Sequence, residues 1–111
     1  MLEAQIQKEI IEYLRLRKYF FWRNYVGPII RGRSKKLSQN PMAGMPDILG
    51  VFNSHHRLFA IEVKTQKGTL SPKQKVWIQN LEDAGAFCMV ARSVKEVIEQ
   101  FTMHDTKVSH A

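Results

Sequence analysis

Cysteine is nearly absent from this chain of 111 residues, with Cys88 the single example. One thiol excludes an internal disulfide and a zinc site built from cysteines. Cys88 lies in the apolar run of residues 86–91, which predicts a buried, inert side chain. Long apolar stretches are missing too: no run of 18 residues occurs, so no segment is expected to span a membrane. The N-terminus has acids and helical periodicity where a secretory leader would have a charged and then apolar pattern, and the expected location is the cytoplasm. Acids are scarce as well. Against 17 Lys and Arg there are 10 Asp and Glu, for a formal charge of +7 and a pI near 9.8. That balance attracts a polyanion, either nucleic acid or an acidic membrane surface, or serves solubility alone.

What is present describes one ordinary soluble domain, with 44% apolar and 24% charged residues in a length that supports a single core. Residues 2 to about 18 read as a helix, because Leu2, Ile6, Ile10, Tyr13 and Leu14 recur at spacings of three and four. At about 100° per residue, Glu3 falls on that apolar face, Glu9 at its border and Glu12 away from it. Glu3 is then either a buried acid that needs a cationic partner, or a first-turn acid that stays in water and favours the helix dipole. Tyr19 to Val26 reads as a strand that meets a turn at Gly27-Pro28. From Arg31 to Pro41 apolar residues nearly vanish, and Arg31, Arg33, Lys35 and Lys36 are interleaved with small polar residues. This predicts a loop, either simply solvated or a flap that touches phosphates.

Asp47–Phe52 and Leu58–Lys64 read as strands of a hairpin joined by the polar turn of residues 53–57. His55 and His56 point to different sides and are read as part of a solvated turn. After a loop at residues 65–69, Ser71 can cap a helix, Pro72 suits its first position and Gly85 ends it, with Val76, Trp77 and Leu81 as the apolar stripe. Phe87–Ala91 is the last strand, reached by a crossover that implies parallel, right-handed pairing. Ser93 and Glu96 open a final helix whose inner face is Val94, Val97, Ile98 and Phe101. Fraying is expected from about Thr102, which leaves His104 and His110 in the tail. The expected order is α-β-β-β-α-β-α, a mixed α/β sheet flanked by helices, with a domain over residues 1–103 and a tail over 104–111.

The residues that carry chemistry follow from the hairpin register. With the turn centred between Ser54 and His55, Asp47 stands opposite Glu62, and opposed side chains have Cβ atoms about 4.5–5.5 Å apart. Two like charges so placed destabilise the pairing unless a divalent cation lies between them. Strand alternation puts Ala60, Glu62 and Lys64 on one face, so the lysine stands beside the two acids and small Ala60 leaves room. Oxygen ligands without cysteine suit Mg²⁺ or Mn²⁺. Carboxylates, a hard cation and a lysine on a basic protein fit hydrolysis of a phosphodiester.

Gly44-Met45-Pro46-Asp47, Ile61-Glu62-Val63-Lys64, Gly68-Thr69-Leu70-Ser71 and Gln74 with Trp77 together resemble the virus-type replication-repair nuclease domain (VRR-NUC) of the PD-(D/E)xK nuclease superfamily. The resemblance spans nearly the whole chain and is closest to stand-alone phage and bacterial members. It implies a restriction-endonuclease-like core and a Mg²⁺- or Mn²⁺-dependent DNA endonuclease. By this resemblance Asp47, Glu62 and the main-chain carbonyl of Val63 are metal ligands, and Lys64 is the catalytic lysine. Gln74 matches the glutamine after the core motif. Glu3 matches the acid of the first helix, with Glu9 as the substitute. Kinship with Holliday-junction resolvases implies a homodimer acting on branched DNA, flaps or junctions in DNA repair. Arg31, Arg33, Lys35, Lys36, Lys67 and Lys73 are expected to hold the DNA backbone. Two other readings stay open: a nucleic-acid-binding module without catalysis, and an RNA-directed nuclease of the same superfamily.

Overall fold

The computed structural model describes residues 1–24, 29–31, 36–38 and 41–106. Helix α1 (Glu3–Leu16) buries Ile6, Ile10, Ile11 and Leu14, a stripe at helical spacing, against α3 (Val94–His104) and strand β5 (Leu58–Val63). Burying each such side chain contributes about 1.5–3 kcal/mol. The stripe starts one turn later than the sequence suggests. Met1 to Gln5 are all exposed, so the first turn runs past the packed core and Glu3 stays in water. Of its two readings, the wet first-turn acid is the one observed.

Strand β1 (Phe20–Arg23) pairs antiparallel with β4 (Ile48–Val51), β4 pairs antiparallel with β5, and β6 (Phe87–Ala91) pairs parallel with β5. The four-stranded order is therefore β1-β4-β5-β6. Helix α2 (Pro72–Asp83) makes the crossover between the two parallel strands. The expected α-β-β-β-α-β-α order holds for this sheet and its three helices. One sheet face turns Phe59, Ile61 and Val63 towards α1 and α3, where Phe52, Phe59 and Phe101 meet with ring centroids 4.8–5.2 Å apart. Gly50 of β4 makes that packing possible, since a Cβ there would lie 2.4 Å from Phe59 Cζ and 2.5 Å from the Phe20 carbonyl oxygen.

Further segments differ from their sequence readings. Residues 31–41 are not one loop, because β2 (Ile29–Arg31) and β3 (Lys36–Ser38) form a short antiparallel ribbon with Ile30 opposite Leu37. Main-chain pairing needs little side-chain hydrophobicity, so the polar composition concealed it. The expected turn at Gly27-Pro28 lies outside the described residues. On α2, Val76 is 59% exposed, and half-buried Trp77, Ile78 and Leu81 cover the second sheet face instead. Cys88 is half-buried under that helix, where burial pushes its thiol up to about 11.

The C-terminal helix does not fray at Thr102. It continues to His104, whose ring lies 4.4 Å from that of Phe87, and on α3 Ile98 is 41% exposed while Val97 and Phe101 are buried. Asp105 then accepts hydrogen bonds from the Tyr19 hydroxyl (2.6 Å) and the Ser54 main-chain N–H (2.9 Å). His55 is likewise not a free turn residue, with Nε2 2.9 Å from the His104 carbonyl oxygen and its ring against Phe52. His110 lies outside the described residues. No helix among the described residues is long and apolar enough to cross a membrane.

Candidate active site

Asp47 is delivered by a turn built onto another element. Gly44 has φ +94°, and a Cβ on it would lie 2.8 Å from the carbonyl carbon and the Cβ of Lys73 in the first turn of α2. Both its backbone conformation and the contact require glycine. Two residues on, buried Pro46 offers its carbonyl to Asn24 Nδ2 at 2.7 Å, and the Asn24 N–H donates to the Asp47 carbonyl at 2.9 Å. Ile48 pairs with Ile61, so one step back Asp47 stands opposite Glu62, the register read from the turn centre. The Asp47 carboxylate accepts the Val63 main-chain N–H at 2.8 Å through Oδ2.

Glu62 is the one buried charged or polar side chain of the described core, 2% exposed. Strand alternation turns it away from the aromatic core and towards α2, on the same side as Ala60. Its Oε1 accepts from Gln74 Nε2 at 2.6 Å and lies 3.9 Å from Lys64 Nζ. Its Oε2 is buried and has no hydrogen-bond partner among the described residues. An unsatisfied buried acceptor of this kind costs about 1–3 kcal/mol, and more when it is charged. Burial, and then the neighbouring Asp47 carboxylate, push the Glu62 carboxyl up to about 8, and the Lys64 ammonium offsets this only in part.

Gln74 joins this cluster to the start of α2. Ser71 Oγ accepts the Gln74 main-chain N–H at 3.2 Å, and Gln74 Oε1 accepts the Ser71 N–H at 2.8 Å, a reciprocal capping box. Because the Ser71 N–H can only donate, it fixes Oε1 as the acceptor and leaves Nε2 to face Glu62. Lys64 continues the ladder beyond β5 through its N–H to the Ala91 carbonyl (3.0 Å). The loop that follows is held by Arg92, whose Nη1 donates to the carbonyls of Thr65 and, at 2.8 Å, Gly68.

The other expected site residues are more dispersed. Glu9 is half-buried and lines a cavity of about 550 Å³ with Thr65, Gln66, exposed Lys67 and Arg92, whereas Glu3 is exposed. Among the described residues no group of three or more His, Cys, Asp or Glu side chains is close enough to hold a metal ion, so neither helical acid joins Asp47 and Glu62. Lys73 is exposed on α2. Arg31 and Lys36 stand opposite each other in the β2–β3 ribbon, with side chains outside the described residues, as are Arg33 and Lys35 altogether. Sequence reasoning did not find Asn24 or Arg92. Both act through main-chain carbonyls of distant segments, which leave no sequence pattern. The Ser71-x-x-Gln74 spacing did offer a signal for the box.

The donor set fits a hard divalent cation on its own chemistry. At one end of the β4–β5 pairing two carboxylates stand opposite each other beside the main chain of Val63, and one buried carboxylate oxygen lacks a hydrogen-bond partner among the described residues. Chelation would satisfy that oxygen and offset both the burial of the Glu62 charge and its repulsion by Asp47. A solved structure described as a VRR-NUC domain is similar in fold, with a TM-score of 0.67 at 20% identity over 94% of this chain and 97% of that one. No curated protein gives a significant match. The VRR-NUC domain profile matches residues 2–95. The chain therefore belongs to the VRR-NUC domain family, nuclease-type domains of the PD-(D/E)xK superfamily.

Proposed function

We propose that this protein is a Mg²⁺- or Mn²⁺-dependent, structure-selective endonuclease that hydrolyses phosphodiester bonds in branched DNA. The observation that carries the reading is Glu62: a carboxylate 2% exposed, opposite Asp47, with one oxygen bonded to Gln74 and near Lys64 and the other without a hydrogen-bond partner among the described residues. The large majority of buried side-chain polar atoms are hydrogen-bonded, so an orphan oxygen here is an exception that a bound cation would account for.

Asp47, Glu62 and the Val63 carbonyl would hold the cation, which when bound would neutralise charge that develops on the phosphate oxygens and make water a better nucleophile. The remaining work falls to the chain. The Val63 N–H occupies Asp47 Oδ2, and the Gln74 amide occupies Glu62 Oε1, so each carboxylate has one oxygen fixed in place. Lys64, with its side chain 14% exposed, keeps an ammonium beside Glu62, placed to orient the attacking water or to stabilise a phosphate oxygen. Hydrolysis adds hydroxyl to phosphorus and returns a proton to the leaving oxygen. Of the first-helix acids Glu9 is the better placed, since it lines the cavity next to Thr65, and it would contribute through water. Lys67, Lys73, Arg31, Arg33, Lys35 and Lys36 would hold flanking phosphates.

A homodimer belongs to the proposal. In the described sheet β1 is an outer strand, and its Phe20 and Trp22 are 69% and 42% exposed with rings 6.0 Å apart. Paired aromatics on a sheet edge suit a second copy, and two active sites suit the two strands of a junction.

The test is cleavage of labelled flaps, forks and four-way junctions, with linear DNA and matched RNA alongside, in Mg²⁺, Mn²⁺ or chelator. Cutting of branched DNA that needs metal and is lost in Lys64→Ala supports the proposal. Equal cutting by Lys64→Ala, or no cutting of any DNA with either metal, refutes it.

A further inference from the structure

The segments that position the acids also border an open depression that, Lys73 apart, the hydrolytic reading does not use. Ala43, Pro72, Lys73, Val76 and Trp77 line a slot of about 250 Å³. One wall is the first two turns of α2, where Trp77 follows Gln74 by three residues and so shares its helix face. The other wall is the residue before Gly44, in the turn that delivers Asp47. Apart from Lys73 the lining is hydrocarbon and indole, and Val76 is 59% exposed at its edge. Such walls give a phosphate or a metal ion nothing to bind. They suit a flat, apolar-faced group, and the volume, below the roughly 300–1,000 Å³ of pockets for larger ligands, suits one planar group.

We propose that this slot takes one unpaired nucleobase of the strand being cut, against the indole of Trp77, with Lys73 at the rim for the adjoining phosphate. The occupant is argued from continuity and charge. The slot is built from the same two segments as the Asp47–Glu62–Gln74 cluster, and the chain carries +7. A base inside a continuous duplex has both faces covered by its stacked neighbours, so a free face is offered where that stack is interrupted, above all by an unpaired base. The slot would thus confer a preference for flaps, forks or junctions over continuous duplex. This inference rests on the nuclease reading and adds to it a determinant of which DNA is chosen.

A scan of DNA substrates tests it. A fork with one single-stranded arm is made in versions that each carry one abasic nucleotide, and binding is followed by fluorescence anisotropy with Ca²⁺ replacing Mn²⁺. The expected result for the wild-type protein is a loss at one position near the scissile phosphate of roughly 5- to 150-fold, the range for one stacked base. In Trp77→Ala that position dependence should vanish, and in Val76→Ser it should shrink several-fold. Val76→Ser carries the test if Trp77→Ala does not fold, because residue 76 is exposed. A flat scan with intact fork binding overturns the slot and leaves the nuclease reading standing. A flat scan in which Val76→Ser also shifts a dimer to monomer in light scattering assigns the slot to a second copy, and likewise overturns it. Absence of DNA binding and cleavage with every metal removes the nuclease reading and this one with it.

Discussion

Gln74 donates its side-chain amide to Glu62 Oε1 at 2.6 Å while its own carbonyl oxygen accepts the Ser71 N–H at 2.8 Å. One side chain therefore both starts a helix and aims a buried carboxylate. Gln74→Leu should separate these roles by size. Loss of the Gln74 half of the capping box, with Ser71 Oγ still accepting the main-chain N–H of residue 74, is expected to cost up to about 1 kcal/mol of stability, read by urea unfolding. Cleavage should fall by roughly 10- to 100-fold, as when the partner of a metal-ligating group is removed. An activity loss no larger than the fall in folded protein would make Gln74 merely a cap.

Removal of the Glu62 charge separates stability from function in another way. Wild-type protein should gain thermal stability when Mn²⁺ is added, by about 2.7 kcal/mol at a metal concentration 100 times the dissociation constant. Glu62→Gln keeps the shape but loses the ligand charge, so its Tm should not respond to Mn²⁺ and its cleavage should drop by roughly 10²- to 10³-fold. Equal Mn²⁺ shifts in both proteins, measured by calorimetry, would place the ion elsewhere.

Gly44→Ala tests whether the turn and α2 are one unit. With φ +94° and a Cβ only 2.8 Å from Lys73 main-chain and Cβ atoms, alanine must displace the turn, at an expected cost of about 1–3 kcal/mol. Because the same turn carries Asp47, activity per folded molecule should fall too. A variant that unfolds in urea with wild-type midpoint and cuts at wild-type rate would contradict the described turn.

Asp105 supplies a pH dependence remote from the acids. Burial alone would raise its carboxyl, but hydrogen bonds from the Tyr19 hydroxyl and from Ser54 and Asn53 outweigh burial and hold it below the ordinary 3.8. A carboxyl so lowered binds fewer protons folded than unfolded. Its stabilisation is present above the ordinary value and is lost as pH falls through the folded one. Asp105→Asn should be less stable than wild type at neutral pH, and the gap should narrow as pH falls from neutral through the ordinary 3.8 and below it. Thermal melts across that range give the comparison, and a constant gap would exclude Asp105 as the titrating group.

The extent to which these features were legible in the sequence depended on their range. The Asp47–Glu62 pairing could be read because a hairpin register follows from the position of its turn, and strand alternation then carries Glu62 and Lys64 to one face. Ser71-Pro72 and Gly85 likewise marked the ends of α2 through local backbone chemistry. Helical period told which side of α1 is apolar but not where the packed surface stops, so Glu3 was placed on a face that the first turn never buries. The same limit put Val76 on the stripe of α2 in place of Ile78.

By itself the sequence determined the order of elements along the chain, the register of the acids and the family, since each rests on periodicity, turn chemistry or a spaced motif within short segments. The pairing of β6 with β5, by contrast, is a tertiary outcome. Only the tertiary structure decided how the site is held. The Arg92 clamp on Thr65 and Gly68, the Asn24 contact to Pro46 and the Asp105 bonds to Tyr19 and Ser54 join segments 22 to 86 residues apart. Such contacts arise when packing of the sheet and helices brings unsatisfied main-chain groups within reach of a polar side chain, and no local pattern encodes that meeting.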